Sequence, residues 1–488
     1  MSTGTSDAGN GDFFRNRLDQ MIDLRHSLVV LGSRLPWQAI EARVAHRFAR
    51  QVRSGKQLND SDLFGPTTSV VGAGVAKAGR PRLPLRRMLA LLYLKHAFNE
   101  SDEGVVARWA ETPTWQYFSG EAYFSHHPPC DPSLLVRFRQ VLGEQGIEEL
   151  LAHTINTAVN LKLIDQQALA SVIVDSTVQP KAVAYPTDSG LLETAREKVV
   201  EAAKAAGIAL KQTFVKEGQR LQRKAGRYAH ARQFKRMRGM IKRQRTIVGK
   251  LCREVVRKLD TAAGASIDSI KAVLAKAQRI HAQTLTNAAK DGPKLYSWHA
   301  PEVECIGKGK ARTPYEFGVK VSVATTHSGN LIVGARAFAG NPYDGHTLHE
   351  QLEQASILMQ DTGVSPTVVT TDLGYRGVDQ DNPGITLIHR GKLRSLTAQQ
   401  AKLLPRRQSI EPVIGHLKHD HGMARCYLKG ATGDRLHALL CAAGFNLRWL
   451  MRNITKKGIR LFLRALLASC QQRLQPLYTQ QSHQLAII

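Results

Sequence analysis

The chain has 488 residues, enough for two to four domains and a sizeable core. Its 68 Lys and Arg against 40 Asp and Glu give a formal net charge of +28, which is easiest to explain if a polyanion neutralises it in use. No apolar stretch is long enough to cross a bilayer, the first dozen residues are polar, and the six cysteines form no CxxC pair. These features argue against a membrane span, a signal peptide, disulfides and a structural zinc, and favour a nucleic-acid partner in a reducing cytoplasm.

Residues 1–12 read as disordered. Residues 13–57 read as two helical runs, the first marked by Met21, Leu24, Leu28 and Leu31, the second by Ile40, Val44 and Phe48. Residues 58–84 are rich in Gly, Ser, Thr and Pro and read as a linker. Helices resume at Leu85–Phe98, then at Asp131-Pro132-Ser133, with a long helix over Ile147–Leu163. The expectation is a helical N-terminal domain over 13–165, used for DNA binding or dimerisation. Arg86, Arg87 and Lys95 are its candidate contacts, and its helices the candidate readers of DNA sequence.

At Ala170 the pattern changes to a short β-branched run, SVIVDSTVQ, of the buried-strand type. Residues 191–292 turn helical again. Within them, Lys211–Lys258 carries 17 Lys or Arg against two acids, Glu217 and Glu254. Met237, Ile241, Val248, Leu251 and Val255 make an apolar seam interrupted by Gln244, so a helical hairpin with a basic outer face is expected. Arg236, Arg238, Lys242, Arg243 and Arg245 are its candidate phosphate contacts. After Pro293, YEFGVKVSVATT reads as a half-buried strand, Ser328-Gly329-Asn330 as a hairpin turn, and Leu331–Ala339 as the returning strand. Asp344–Gln360 reads as an amphipathic helix, TVVTT and Ile385–His389 as strands, and Ser409 as the opening of a helix with Pro412 in its first turn. The last helices run from Asp434 to about Ser469.

With 191–292 set aside, the order of elements is βββαβ(β)α. This is the order of an α/β fold with an RNase H-like mixed sheet as catalytic core, spanning 166–190 and 293–450 and split by a basic helical insertion, with a C-terminal helix and tail over 451–488. Strands one and four can then lie side by side. Asp175 sits in the first, Asp372 follows the fourth, and Glu411 opens the next helix. Three convergent carboxylates suit two hard divalent ions that activate an attacking oxygen and stabilise a leaving one. Lys418 shares a helix face with Glu411, and Arg407 lies one turn upstream; both are candidates to hold DNA phosphate. Each residue also has a plainer reading: a turn-capping Asp, a favourable acid at a helix N-terminus, a solvated basic face. Tyr375 and Arg376, beside Asp372, either contact DNA or pack the loop. Trp298 is more simply a packed aromatic than a base-stacking group, and His299, Glu302 and Glu304 lack a completed ligand set.

Residues 170–450 resemble bacterial insertion-sequence transposases of the DDE class, specifically the insertion-sequence 5 family. The resemblance lies in VIVDST around Asp175, TTDLGYRG around Asp372, and RQSIEPVIGHLK, whose Arg407, Glu411 and Lys418 match an R-(3)-E-(6)-K signature. LPLRRMLALLYLKHAFNESDEGVVARWAETPTWQYFSG and DPSLLVRFRQ resemble the family's helical N-terminal domain. The family's fuller signature has Tyr three residues before the Arg, where this chain has Leu404. The resemblance implies transposition: cleavage at terminal inverted repeats, strand transfer into target DNA, two Mg²⁺ (or Mn²⁺) ions per site, a homodimer on double-stranded DNA, and a bacterial, nucleoid-associated location. The alternatives are another RNase H-like nuclease, or a non-catalytic DNA-binding protein.

Overall fold

The computed structural model describes residues 17–48, 83–259, 267–285, 294–307 and 314–484, with side chains to residue 459. The expected disordered start and nearly all of the expected linker lie outside these residues.

The first helical run is split. α1 (Leu18–Met21) ends at Ile22 in extended conformation, and α2 (Ser27–Arg34) restarts with His26 accepting a hydrogen bond from the Leu28 amide. Met21 and Leu24, expected on the apolar face, are therefore exposed. α3 (Trp37–Ala45), α4 (Leu85–Ala97), α5 (Asp102–Glu111) and α6 (Pro113–Phe118) follow. α7 (Pro132–Asn160) opens with Asp131 capping the Ser133 amide. It breaks at Gly143, whose φ of 65° only glycine adopts without strain, so two helices meet there at a kink.

The six strands are β1 (Ser171–Pro180), β2 (Glu304–Gly307), β3 (Tyr315–Thr326), β4 (Ile332–Phe338), β5 (Val368–Thr370) and β6 (Thr386–Ile388). β1 is central. It pairs antiparallel with β3 on one side and parallel with β5 on the other, and β6 adds parallel to β5. β3 shares its far edge between β2 and β4. From Val319 onward β3 is almost continuously buried rather than alternating, because it lies between paired strands and beneath α12 (Leu348–Leu358). The β3–β4 turn has Gly329 and Asn330 both at positive φ, as a tight hairpin requires.

After α13 (Ala398–Ala401) and α14 (Ile410–Asp420) comes α15 (Gly430–Gln484), one helix where several were expected. Between 436 and 451 it is buried nearly all round, packing on α4, α7 and β4, so it acts as a core helix rather than a surface one. One apolar core runs from Leu28 through the sheet to Met451, joining the N-terminal helices to the sheet. Asn446 is the polar hub of this core. It is fully buried, accepts from the Ile332 amide at 3.0 Å, and donates to the Ile332 carbonyl at 2.8 Å and to Thr154 Oγ1 at 3.0 Å.

The helices between β1 and β2 have a second core of their own. α8 (Asp188–Ala205), α9 (Val215–His230), α10 (Phe234–Arg257) and α11 (Ile267–Gln283) enclose Leu192, Val199, Val248, Leu251, Leu274 and Ile280. Gln244 sits in the seam because its Oε1 accepts from Ser189 Oγ at 2.7 Å and its Nε2 donates to the Ser189 carbonyl. The expected basic hairpin is α9–α10, closed into a four-helix unit by α8 and α11. Among the described residues no helix is long and apolar enough to cross a membrane.

Replacing Asn446 with Leu strands the Ile332 amide and carbonyl without partners. Chemical denaturation should show a loss of about 2–4 kcal/mol, from two newly unsatisfied buried groups.

Candidate active site

The site is built by strand register. Ile173 of β1 pairs in parallel with Thr370, the last residue of β5, and Asp175 and Asp372 each lie two residues beyond this pair. Adjacent strands lie about 4.8 Å apart, which brings the two acids near each other, and Asp372 helps raise the Asp175 carboxyl. Asp372 leaves β5 in extended conformation, and its Oδ1 accepts from the Gly374 amide at 2.8 Å, capping a short turn. Asp175 accepts from the Ser176 amide at 2.8 Å.

A further acid lies here that sequence reasoning placed only at a helix start. Asp344 Oδ1 accepts from Ser176 Oγ at 2.8 Å and from Lys320 Nζ at 2.9 Å. A side chain beginning at Gly374 would meet Asp372 Oδ1 at 3.0 Å and Asp344 Oδ2 at 3.1 Å, so both carboxylates flank that glycine. Nothing in the local sequence NPYDGH marks Asp344 as a site residue; β3 and the β1 edge bring Lys320 and Ser176 to it.

Glu411 reaches the same edge through α14, which packs on β1. Its side chain is 60% exposed, and Arg407 links it to the sheet: one guanidinium nitrogen is 3.0 Å from Glu411 Oε1 and another 3.5 Å from Asp175 Oδ2. The oxygens of Asp175, Asp372 and Glu411 do not all come within 4.8 Å of one another. Arg407 stands between Asp175 and Glu411, while Asp372 and Asp344 neighbour Asp175 from other elements. Ser409 makes no cap to the helix it precedes and instead donates its hydroxyl to Asn330 Oδ1, tying the start of α14 to the β3–β4 turn.

Burial pushes the Asp175 carboxyl up to about 6, the neighbouring Asp372 and Asp344 push the same way, and the Ser176 amide and Arg407 oppose. Tyr375 is fully buried, so it packs the loop; burial and these acids hold its phenol protonated. Arg376 is exposed beside the same turn, near Gly391. Lys418 Nζ donates to Glu316 Oε2 of β3 at 3.4 Å.

The remaining candidates separate into free and engaged groups. Arg238 and Lys242 are exposed on α10. Arg243 pairs with Glu217 at 2.7 Å, Arg245 donates to the Thr284 carbonyl at 3.0 Å, and Arg236 donates to Gln233 at 3.0 Å. In the N-terminal helices Arg86 donates to the Gly32 and Phe118 carbonyls and lies over Trp37, Arg87 pairs with Glu121, and Lys95 with Asp102, so these cations hold the helices together. Trp298 is packed in the insertion's core, and Glu302 pairs with Lys181 at 2.8 Å.

Residues 16–141 match the model of a transposase domain (DUF772), and residues 386–451 match that of a transposase DDE domain. The chain is also 39% identical over 227 residues to an uncharacterized protein, ORF8 in the nfe locus of Rhizobium meliloti, covering 46% of this chain and 97% of that protein. These two domains indicate a DDE-type insertion-sequence transposase. The DDE match includes Glu411, while Asp175 and Asp372 lie outside it. No solved structure matches the chain.

The raised Asp175 carboxyl gives a stability signature with a definite sign. Its folded value lies above the unfolded 3.8, so the folded state binds a proton more tightly, and the cost of ionisation builds as pH rises from about 4 to about 6. Without divalent ions, Asp175→Asn should be more stable than the parent transposase at pH 7.5, by up to about 3 kcal/mol, and equally stable at pH 4. Denaturation midpoints at the two pH values check this.

Proposed function

We propose that this transposase is of the insertion-sequence 5 type, with an RNase H-like core that cleaves DNA at terminal inverted repeats and transfers the freed 3′-hydroxyl into target DNA. Asp175, Asp372 and Glu411 are its catalytic acids and the ligands of two Mg²⁺ (or Mn²⁺) ions. The observation that carries this reading is the parallel pairing of β1 with β5 through Ile173 and Thr370, two residues before Asp175 and Asp372, with α14, the helix of Glu411, packed on β1. The sheet path β4-β3-β1-β5-β6, in which β3 runs antiparallel to β1 while β4, β5 and β6 run parallel to it, supports the RNase H-like assignment.

The donor set fits hard cations. All the candidate ligands are carboxylate oxygens, and burial, with Asp372 and Asp344 beside it, holds Asp175 above its ordinary range. Divalent ions bound there would activate the attacking oxygen and stabilise the leaving one. The chain's own residues do the positioning. Asp175 would help hold the ions from β1, with Asp372 fixed by the Gly374 amide and Glu411 carried in by α14. Arg407 neutralises Asp175 and Glu411 in the metal-free protein and would turn to a DNA phosphate once they are ligated. Lys418, lightly held by Glu316, and the exposed Arg376 would grip phosphates on either side. Asp344 orients Ser176 and Lys320 behind the reacting edge.

DNA outside the site is assigned to the insertion. Arg238 and Lys242 are exposed charges on α10, with Arg236, Arg243 and Arg245 released from their present partners only if phosphate competes for them. Both transposon ends are to be held together, which asks for two copies of the chain.

Single Ala substitutions of Asp175, Asp372 and Glu411 should each lower Mg²⁺-dependent cleavage of an inverted-repeat duplex by about 10³-fold or more, with DNA binding retained. Cleavage that survives Asp175→Ala would refute the assignment, and cuts without joined products would favour a plain nuclease. Separately, Arg238→Glu with Lys242→Glu should weaken binding to DNA of any sequence. It should also flatten the slope of log affinity against log salt by about 1 for each phosphate that these two side chains neutralise. An unchanged slope would move the DNA path off α10.

A further inference from the structure

We propose that His96, His437 and Cys441 form a separate metal site that holds one Zn²⁺-class ion between α4 and α15. His437 and Cys441 are one turn apart on the same face of α15, and His96 faces them from the last turn of α4. Cys441 Sγ lies 3.7 Å from His96 Nδ1 and 3.7 Å from His437 Nε2. One ligand atom from each residue lies within 4.8 Å of the other two, and no other three His, Cys, Asp or Glu among the described residues meet that closely.

The spacing is that of a coordination shell. Zinc–sulfur bonds of about 2.3 Å and zinc–nitrogen bonds of about 2.0–2.1 Å at a tetrahedral angle put sulfur and nitrogen about 3.6 Å apart. Both sulfur–nitrogen edges already have this length. All three side chains are buried, so an ion held by them would be shielded from solvent. Binding would release the Cys441 thiol proton to solvent and leave a thiolate on the ion. The Gly422 carbonyl oxygen, 3.0 Å from His437 Nε2, is within reach of a fourth position; without an ion it accepts that nitrogen's hydrogen. A set of two nitrogens and one sulfur selects a soft or borderline ion over the hard ions suited to the carboxylates.

The helices are arranged for this approach. A Cβ on Gly444 would meet the His96 backbone carbonyl carbon at 2.5 Å, so α15 lies directly on α4 only because residue 444 has no side chain. The nearby cations Lys95 and Arg139 are each paired with Asp102, at 2.7 and 2.6 Å. An ion here would clamp the N-terminal helices to the helix that runs through the transposase core.

The full chain, expressed with zinc and dialysed against a weak chelator, should retain about one equivalent by elemental analysis. Asp175→Ala and Cys252→Ala should retain the same amount, and Cys441→Ala should lose it while its circular dichroism stays unchanged. Folded wild-type protein that retains no zinc, or Cys441→Ala that retains it in full, overturns the proposal. If Cys441→Ala does not fold, zinc-edge X-ray absorption on the wild-type chain decides. One sulfur at about 2.3 Å with nitrogens at about 2.0–2.1 Å is expected, and a shell of nitrogen and oxygen alone refutes the site.

Discussion

The chemistry proposed for this transposase depends on the parallel pairing of β1 with β5. Side chains alternate across a strand, so a one-residue slip in that pairing would turn Asp372 to the opposite face from Asp175. The register is held from both sides: β1 has nine residues paired to β3 on its other edge, and β5 is locked in turn to β6. Buried Val172, Ile173, Val174 and Val369 make the slip expensive, because it would expose an apolar face to place an acid in the core. Apolar packing thus fixes where the charges stand.

The same constraint sets like charges against one another. Asp175, Asp372 and Asp344 crowd one edge, and the chain offsets them with Lys320 on Asp344 and Arg407 on Asp175. These two cations differ in what holds them. Lys320 sits on β3, and its ammonium also donates to the Pro342 carbonyl, so it belongs to the framework. Arg407 comes from the turn before α14 and spans two acids, one of them mostly exposed. A group held by a half-buried acid at 3.5 Å and an exposed one at 3.0 Å is easily exchanged for a stronger cation, since exposed pairs contribute little.

Much of this is legible in the sequence. β1, β5 and β6 are short β-branched runs bounded by turn residues, and their order alone puts Asp175 and Asp372 together. What stays hidden depends on contacts between distant segments. Asp344 looks like a helix opener until Ser176 and Lys320 are brought to it. β3 reads as half-buried because its polar residues alternate, yet Ser322 and Thr325 are buried within the sheet. Arg86 and Lys95 read as free surface charge, and their partners come only with the packing of α2, α5 and α6. The His96–Cys441 pair spans 345 positions, beyond any local ligand spacing.

The two cores explain how a long insertion sits inside a catalytic sheet. α8 to α11 bury their own apolar stripe, so the unit between β1 and β2 needs little from the sheet beyond its two points of attachment. Lys181 marks one of them. It is buried just after β1 and paired with Asp434 of α15 and with Glu302, where the chain returns from the insertion, both at 2.8 Å. Leaving either acid unpaired in that environment would be strongly destabilising. The exit from β1, the return to β2 and the start of α15 are therefore fixed to one another whatever the insertion does. On the proposed reading, the basic helices meet DNA while the strand that carries Asp175 keeps its register.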